Sequence, residues 1–401
     1  MKPLYIIYIT LVTLLSVGNL VTLRAAEPDS TRQKLIHRIG IDLFPGYVLP
    51  THDFFKGTNR QGEPVNTTMS AHLKWAFQFA PDSYFGRNYP YASQGIGVAY
   101  NTFFNGKEVG TPVALYVFQN ARIASLTERL SLDYEWNFGA SFGWKPYDEF
   151  TNDYNNIVGS KTNAYINLGL MLNYRLTPDW SLTLGAGFTH FSNGNTSYPN
   201  AGVNTVGGRI GVVRTFGAGQ WTPRRYAPDP FTRHISYDLV LYGAVRKRAY
   251  IPSDPSLGVL LPGHFGVLGL NFNPMYNVSR YFRAGLSLDA QYDESANLSG
   301  HVVNPGASAD DLKFYRPPFR EQFAVGLSVR AEIVMPIFAI NIGVGRNIIC
   351  KGKDTDHFYQ ILALKTHLTK DLFLHVGYQL YKFKDPNNLM LGIGYRFHSK
   401  R

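Results

Sequence analysis

The sequence has 401 residues, 14% of them aromatic, with 38 glycines, a single cysteine and a formal net charge of +11. Cys350 alone excludes an intramolecular disulfide, and past residue 26 no stretch approaches the ~20 consecutive apolar residues of a spanning helix. Lysine and arginine are scattered and no nucleic-acid motif appears, so the charge indicates either a partner bearing anionic phosphates or a basic solvated surface, not DNA or RNA.

In chain order, residues 1–26 come first: Lys2 opens the segment, Leu4 to Leu23 form an apolar body, and Ala25-Ala26 are small residues before polar chain. This pattern reads as a secretory signal peptide, with a retained anchor as the alternative because Arg24 sits so near the cleavage point. No cysteine stands at that junction, so no lipoprotein anchor is expected. The fold is then expected to occupy 27–401.

Beyond the leader, apolar residues recur at every second position, the period of a strand. The clearest run is Leu130, Leu132, Tyr134, Trp136, Phe138, Ala140 and Phe142, with Ser131, Asp133, Glu135, Asn137, Gly139 and Ser141 between. The same dyad passes through Phe282 to Tyr292, Phe323 to Ile333, Leu372 to Leu380, and a last strand carrying Leu391, Ile393, Tyr395 and Phe397. Soluble sandwiches alternate too, but these runs reach the ~9–11 residues of a tilted spanning strand rather than the usual ~5–6, and aromatics gather at their ends.

Short turns recur at 126–130, 176–180, 278–281 and 368–372. Longer polar stretches lie at 145–161, 191–204, 249–260, 293–320 and 346–356, as expected of periplasmic turns alternating with extracellular loops. The fold class is all-β: a transmembrane antiparallel up-and-down barrel of about 12–16 strands in the outer membrane, both termini in the periplasm. The Pro/Gly-rich stretch 217–233 is either a long turn or a boundary between two eight-strand units; a single barrel is the preferred reading.

The chemistry gathers in 180–216. Trp180, Leu182, Leu184, Ala186 and Phe188 share one strand face that should meet lipid, and parity carries His190 and Ser192 onto it. In the next strand Asn204 shares a face with Val206, Ile210 and Val212. A hydroxyl, an imidazole and an amide thus converge outside the barrel wall, as acyl transfer requires: Ser192 as nucleophile, His190 as proton carrier, Asn204 orienting the ring. Asn193 or backbone amides at Gly194 are candidate oxyanion donors. The plain alternative is that these are the first polar residues of an interfacial loop.

Residues 189–208, THFSNGNTSYPNAGVNTVGG, resemble the lipid A 3-O-deacylase family, through His190, Ser192 and Asn193 followed by Pro199, Asn200 and Gly202. The resemblance implies catalytic roles for His190 and Ser192, a supporting one for Asn200, and lipid A as substrate. The family's third member, a glutamate, falls by spacing on Asn204, so either the amide serves or an acid such as Asp148, Glu149 or Asp153 replaces it. The run His190, Ser192, Asn193, Gly194 with Asn204 is also similar to outer-membrane phospholipase A, a calcium-using family. The function expected is a serine esterase acting on lipid A or lipopolysaccharide without a cofactor. Phospholipid, with calcium, is the second substrate reading, and a non-catalytic pore the alternative of another class.

His357, His367, His375 and His398 lack the spacing of a zinc site, and no metal site is expected. Gly207-Gly208-Arg209-Ile210-Gly211 lies within a strand, not before a helix, and so does not read as a phosphate cradle. Asp310-Asp311, Asp354 and Asp356 read as solvated loop charges.

Overall fold

The computed structural model describes residues 35–217, 226–250, 259–307, 311–381, 383 and 385–398. The expected leader at 1–26 lies outside them, as do 218–225 and Asp310. Strands β1 (Leu35–Val48), β2 (Thr67–Phe79), β3 (Ala92–Thr102), β4 (Gly110–Ser125), β5 (Leu130–Trp144), β6 (Thr162–Arg175), β7 (Trp180–Ser192) and β8 (Val203–Phe216) pair antiparallel in sequence order. β8 then returns onto β1, Val212 opposite Ile41, and closes a barrel.

A second barrel follows. It comprises β9 (His234–Arg246), β12 (Phe265–Asn277), β13 (Phe282–Asp293), β14 (Phe323–Val334), β15 (Phe338–Ile349), β16 (Phe358–His367), β17 (Leu372–Tyr381) and β18 (Asp385–His398). β18 closes on β9 with Ile393 opposite Leu241. A two-residue pair, β10 (Ala249–Tyr250) and β11 (Val259–Leu260), decorates the β9–β12 loop. The preferred single barrel is therefore corrected: the long strands form two cylinders of eight, and 217–233 joins them. Dyad periodicity is identical in both arrangements. What decides between them is the pairing partner of β8, which the periodicity of a single strand does not encode.

Burial is inside out relative to a soluble protein. In β5 the polar residues Ser131, Asp133, Glu135 and Asn137 are buried, whereas in β7 Leu182 and Leu184 and in β13 Leu286 and Leu288 are exposed. An apolar wall of this extent is stable only against lipid, so the alternation marks a membrane-spanning barrel. Aromatics frame it: Tyr174, Trp180, Tyr281, Phe282, Tyr395 and Phe397 at the turn end, and Tyr47, Tyr100 and Phe358 at the loop end.

The four recurring turns share one device. Leu126 N–H donates to the Leu130 carbonyl (2.9 Å), Leu176 to Trp180 (2.9 Å), Val278 to Phe282 (3.2 Å) and Leu368 to Leu372 (2.9 Å). In each, a hydroxyl also accepts from the returning backbone, as Thr177 Oγ1 does from Trp180 N–H (3.1 Å) and Thr369 Oγ1 from Leu372 N–H (2.9 Å). The local hydroxyl replaces water for amides beside an interface, which is why Thr or Ser occupies the same turn position throughout.

Eight strands leave an interior wide enough only for side chains. In the first barrel Lys74 bridges Asp42 (2.6 Å) and Glu135 (2.8 Å), and Arg209 meets Glu135 (2.8 Å). In the second, Lys365 pairs with Asp238 (2.8 Å) and Glu332, and Arg396 grips Asp238 (2.6 Å). These charges are buried and mutually neutralised, so both lumens are filled with polar packing.

The barrels also touch. Trp136 on the outer face of β5 stacks edge-on against Phe338 (5.0 Å between ring centroids), with Met335 and Leu364 completing the cluster. At the turn end Tyr89 Oη donates to the Arg280 carbonyl (2.8 Å) and Tyr281 Oη to that of Asn88 (2.8 Å).

Candidate active site

The site is built on β7 and β8 because antiparallel pairing sets His190 directly opposite Asn204. On the other side of β7, Ile166 faces His190 and Ala164 faces Ser192. Thr183, Thr189 and Phe191 are buried in the lumen, so His190 and Ser192, one residue off that register, lie on the outer face with Leu184 and Phe188. The expected parity is met, and the pair sits where the apolar wall ends at the loop side.

His190 Nδ1 lies 2.7 Å from Asn204 Oδ1. An amide oxygen only accepts, so this contact places the ring proton on Nδ1 and leaves the Nε2 lone pair to take a proton. The Leu49 amide donates to the Asn204 carbonyl (2.8 Å), fixing the backbone of the orienting residue to the end of β1.

From behind, Phe191 fills the upper lumen, in ring contact with Trp144 (5.0 Å), Tyr165 (5.4 Å) and Phe103 (5.9 Å). A buried aromatic between the two site residues holds the short stretch of strand that carries both. From in front, Gly202 adopts a left-handed φ of +73°; a methyl group there would stand 2.9 Å from the Phe191 carbonyl, 3.5 Å from His190 Cε1 and 3.7 Å from Ser192 Cβ. Gly202 thus lies against both site residues, and only glycine satisfies its conformation and its space together.

The connecting loop is pinned internally. Asn193 N–H donates to Asn200 Oδ1 (2.9 Å), and Asn193 Nδ2 donates to the Ser197 carbonyl (2.7 Å). Gly202 N–H donates to the Ile157 carbonyl (3.1 Å), tying in the neighbouring 145–161 loop. The side-chain amide of Asn193, one of the expected oxyanion donors, is therefore spent on loop carbonyls, and Asn200 holds the turn by accepting from the backbone.

Of the substitute acids, Asp148 and Asp153 are engaged by loop residues and Glu149 is exposed beside them. Asp148 Oδ1 accepts from the Phe150 amide (3.1 Å) and from the Thr151 amide and hydroxyl (both 2.8 Å), and these bonds hold its carboxyl below the usual range. Asp153 is paired with Arg60 (2.7 Å), which lowers its carboxyl likewise. Of the expected third members, Asn204 is the one seen at His190 Nδ1. Gly202 was visible in the sequence only as part of the Pro-Asn-x-Gly match, and its contact with the pair is a finding of the fold.

A lipid-facing barrel wall with Ser192, His190 and Asn204 together at its rim defines a class: membrane-spanning β-barrels with a polar cluster on the outer wall. A family model described as lipid A 3-O-deacylase (PagL) matches residues 119–213, and one described as acyloxyacyl hydrolase, C-terminal domain, matches 235–399. The two matches take in more than half of the chain, the second coinciding with the second barrel, and the chain belongs to this family of hydrolases.

Among solved structures, the siderophore receptor PirA from Acinetobacter baumannii is similar at 9% identity over 88% of this chain and 69% of its own, with a TM-score of 0.23. The COG4313 outer membrane channel from Pseudomonas putida F1 is similar at 10% identity over 94% and 100%, with a TM-score of 0.20. TM-scores this low define no common arrangement of strands. No curated protein matches the chain significantly.

Proposed function

We propose that the protein is an outer-membrane serine esterase that removes an ester-linked acyl chain from lipid A, with Ser192, His190 and Asn204 as its working triad. The observation that carries this reading is the 2.7 Å contact between His190 Nδ1 and Asn204 Oδ1 on the lipid-facing wall beside Ser192. Family membership supports the substrate class.

In the proposed reaction Ser192 Oγ attacks the ester carbonyl while its proton passes to His190 Nε2. The tetrahedral oxyanion collapses, the bond to the sugar oxygen breaks, and His190 returns the proton to that oxygen. Water then attacks the acyl-serine by the same route in reverse and releases the fatty acid. We assign the Gly194 amide as oxyanion donor, with Asn193 and Asn200 shaping the turn that presents it. Ile166, Leu168, Phe188 and Val206 surround the pair on the same face and would lie along the acyl chain. Substrate enters sideways from the leaflet. No step is routed through a metal, and the leader at 1–26 supplies export.

Mass spectrometry of lipid A and phospholipid from membranes holding wild type or Ser192→Ala tests the reading. Loss of one hydroxyacyl mass from lipid A with wild type alone is the expected result, insensitive to EDTA. Calcium-dependent lysophospholipid in its place would move the substrate to phospholipid, a reading the neutral third member Asn204 also fits. Identical lipid pools despite correct insertion would overturn the esterase.

A further inference from the structure

The loop that leaves Ser192 does not end its contacts within its own barrel. Gly194 has a left-handed φ of +69°, and a methyl group on it would stand 2.8 Å from Cε2 and 3.2 Å from Oη of Tyr378, a residue on the outer face of β17 in the second barrel. Two hydrogen bonds flank this contact: Lys247 N–H, just past β9, donates to the Thr196 carbonyl (3.0 Å), and Asn195 Nδ2 donates to the Asn387 carbonyl (3.4 Å). Thr196 in turn donates through Oγ1 to the Asn193 carbonyl (2.7 Å), so the attachment reaches the residue bonded to Ser192.

Each successive loop residue, Gly194, Asn195 and Thr196, therefore meets a different segment of the second barrel: β17, β18 and the end of β9. The bonds of Asn193 hold the start and end of this loop from within, but Gly194 has no side chain of its own to anchor it. At 194–196 the loop is also held from outside, by a sheet that packs on the first barrel through the Trp136–Phe338 contact. Catalytic geometry tolerates displacements of only a fraction of an ångström before rate is lost.

We propose that the second barrel is a working part of the catalytic unit: its rim clamps residues 194–196 and thereby sets the oxyanion side of the site, with Tyr378 as the principal positioning residue. This rests on the esterase reading above for its chemistry, but the clamp itself is a physical contact that can be measured without substrate.

The test compares wild type, Tyr378→Ala and Tyr378→Phe as full-length protein in lipid vesicles. Two quantities are read: amide hydrogen exchange of residues 193–197, and the rate of covalent labelling of Ser192 by a fluorophosphonate, per folded molecule by heat-modifiable gel mobility. Tyr378→Ala is expected to speed exchange in 193–197 at least tenfold with β7 amides unchanged, and to slow labelling by a similar factor. Tyr378→Phe, which keeps the ring against Gly194, is expected to stay within twofold of wild type in both. Unchanged exchange in Tyr378→Ala overturns the clamp whatever the enzyme's activity. Faster exchange with unchanged labelling overturns its catalytic role. A wild type that exchanges as expected yet never labels would overturn the serine esterase instead and leave the clamp standing.

Discussion

At the residue scale the unusual choice is Asn204, at the position where the resemblance to the deacylases implies a glutamate. A carboxylate both orients the imidazole and stabilises the imidazolium formed as Ser192 gives up its proton; an amide does only the first. If orientation is its contribution, Asn204→Leu should lower the deacylation rate by about 10²-fold or more, and Asn204→Asp should retain or exceed the wild-type rate. Initial rates on lipid A vesicles decide this, and an Asn204→Leu enzyme as fast as wild type would remove Asn204 from the mechanism. Gly202→Ala carries a second prediction. The added methyl group meets the Phe191 carbonyl at 2.9 Å and a φ of +73°, a conformation costing roughly 1–2 kcal/mol for a residue with a side chain. The barrel should still insert, while labelling of Ser192 falls at least tenfold.

At the element scale the site is a product of register. His190 and Asn204 meet because β7 and β8 pair antiparallel with those two residues opposite, and a one-residue slip of either strand would turn its own members of the site into the lumen. Parity of this kind can be read from alternating Leu, Ala and Phe in β7 and Val and Ile in β8, which is why the lipid-facing placement of His190 and Ser192 was legible in the sequence. The occupancy of Asn193 was not, because its bonds run to carbonyls of a loop without periodicity. Tyr378 was invisible for a related reason: it is an ordinary outward aromatic of β17, and nothing in its own strand says that its neighbour is Gly194 rather than lipid.

At the scale of the whole molecule, long dyad strands and hydroxyl-capped turns made the barrel class legible, but closure was not. The pairing of β8 with β1 rather than with β9 is a contact between distant segments, and the strands themselves look alike on either side of 217–233. Closure as two cylinders of eight has a direct consequence for transport. With Lys74, Asp42, Glu135 and Arg209 filling one lumen and Lys365, Asp238, Glu332 and Arg396 the other, planar bilayers holding the protein should show no stepwise conductance. Stable open channels in that recording would revive the pore. The same packing predicts that Glu135→Leu, which strands Lys74 and Arg209 with less countercharge, lowers unfolding stability in urea by about 3 kcal/mol or more.

Because the proposed triad stands on the outer wall and not in a lumen, the encounter between such an enzyme and its substrate would be confined to a plane. What the active site samples is then the mole fraction of substrate among neighbouring lipids, not its amount per litre. At fixed total substrate, adding inert detergent or phospholipid should slow turnover in proportion as the surface is diluted, while diluting the whole suspension with buffer should leave the rate per enzyme nearly unchanged. A cell could accordingly govern such an enzyme through the composition of one leaflet, with no soluble effector at all.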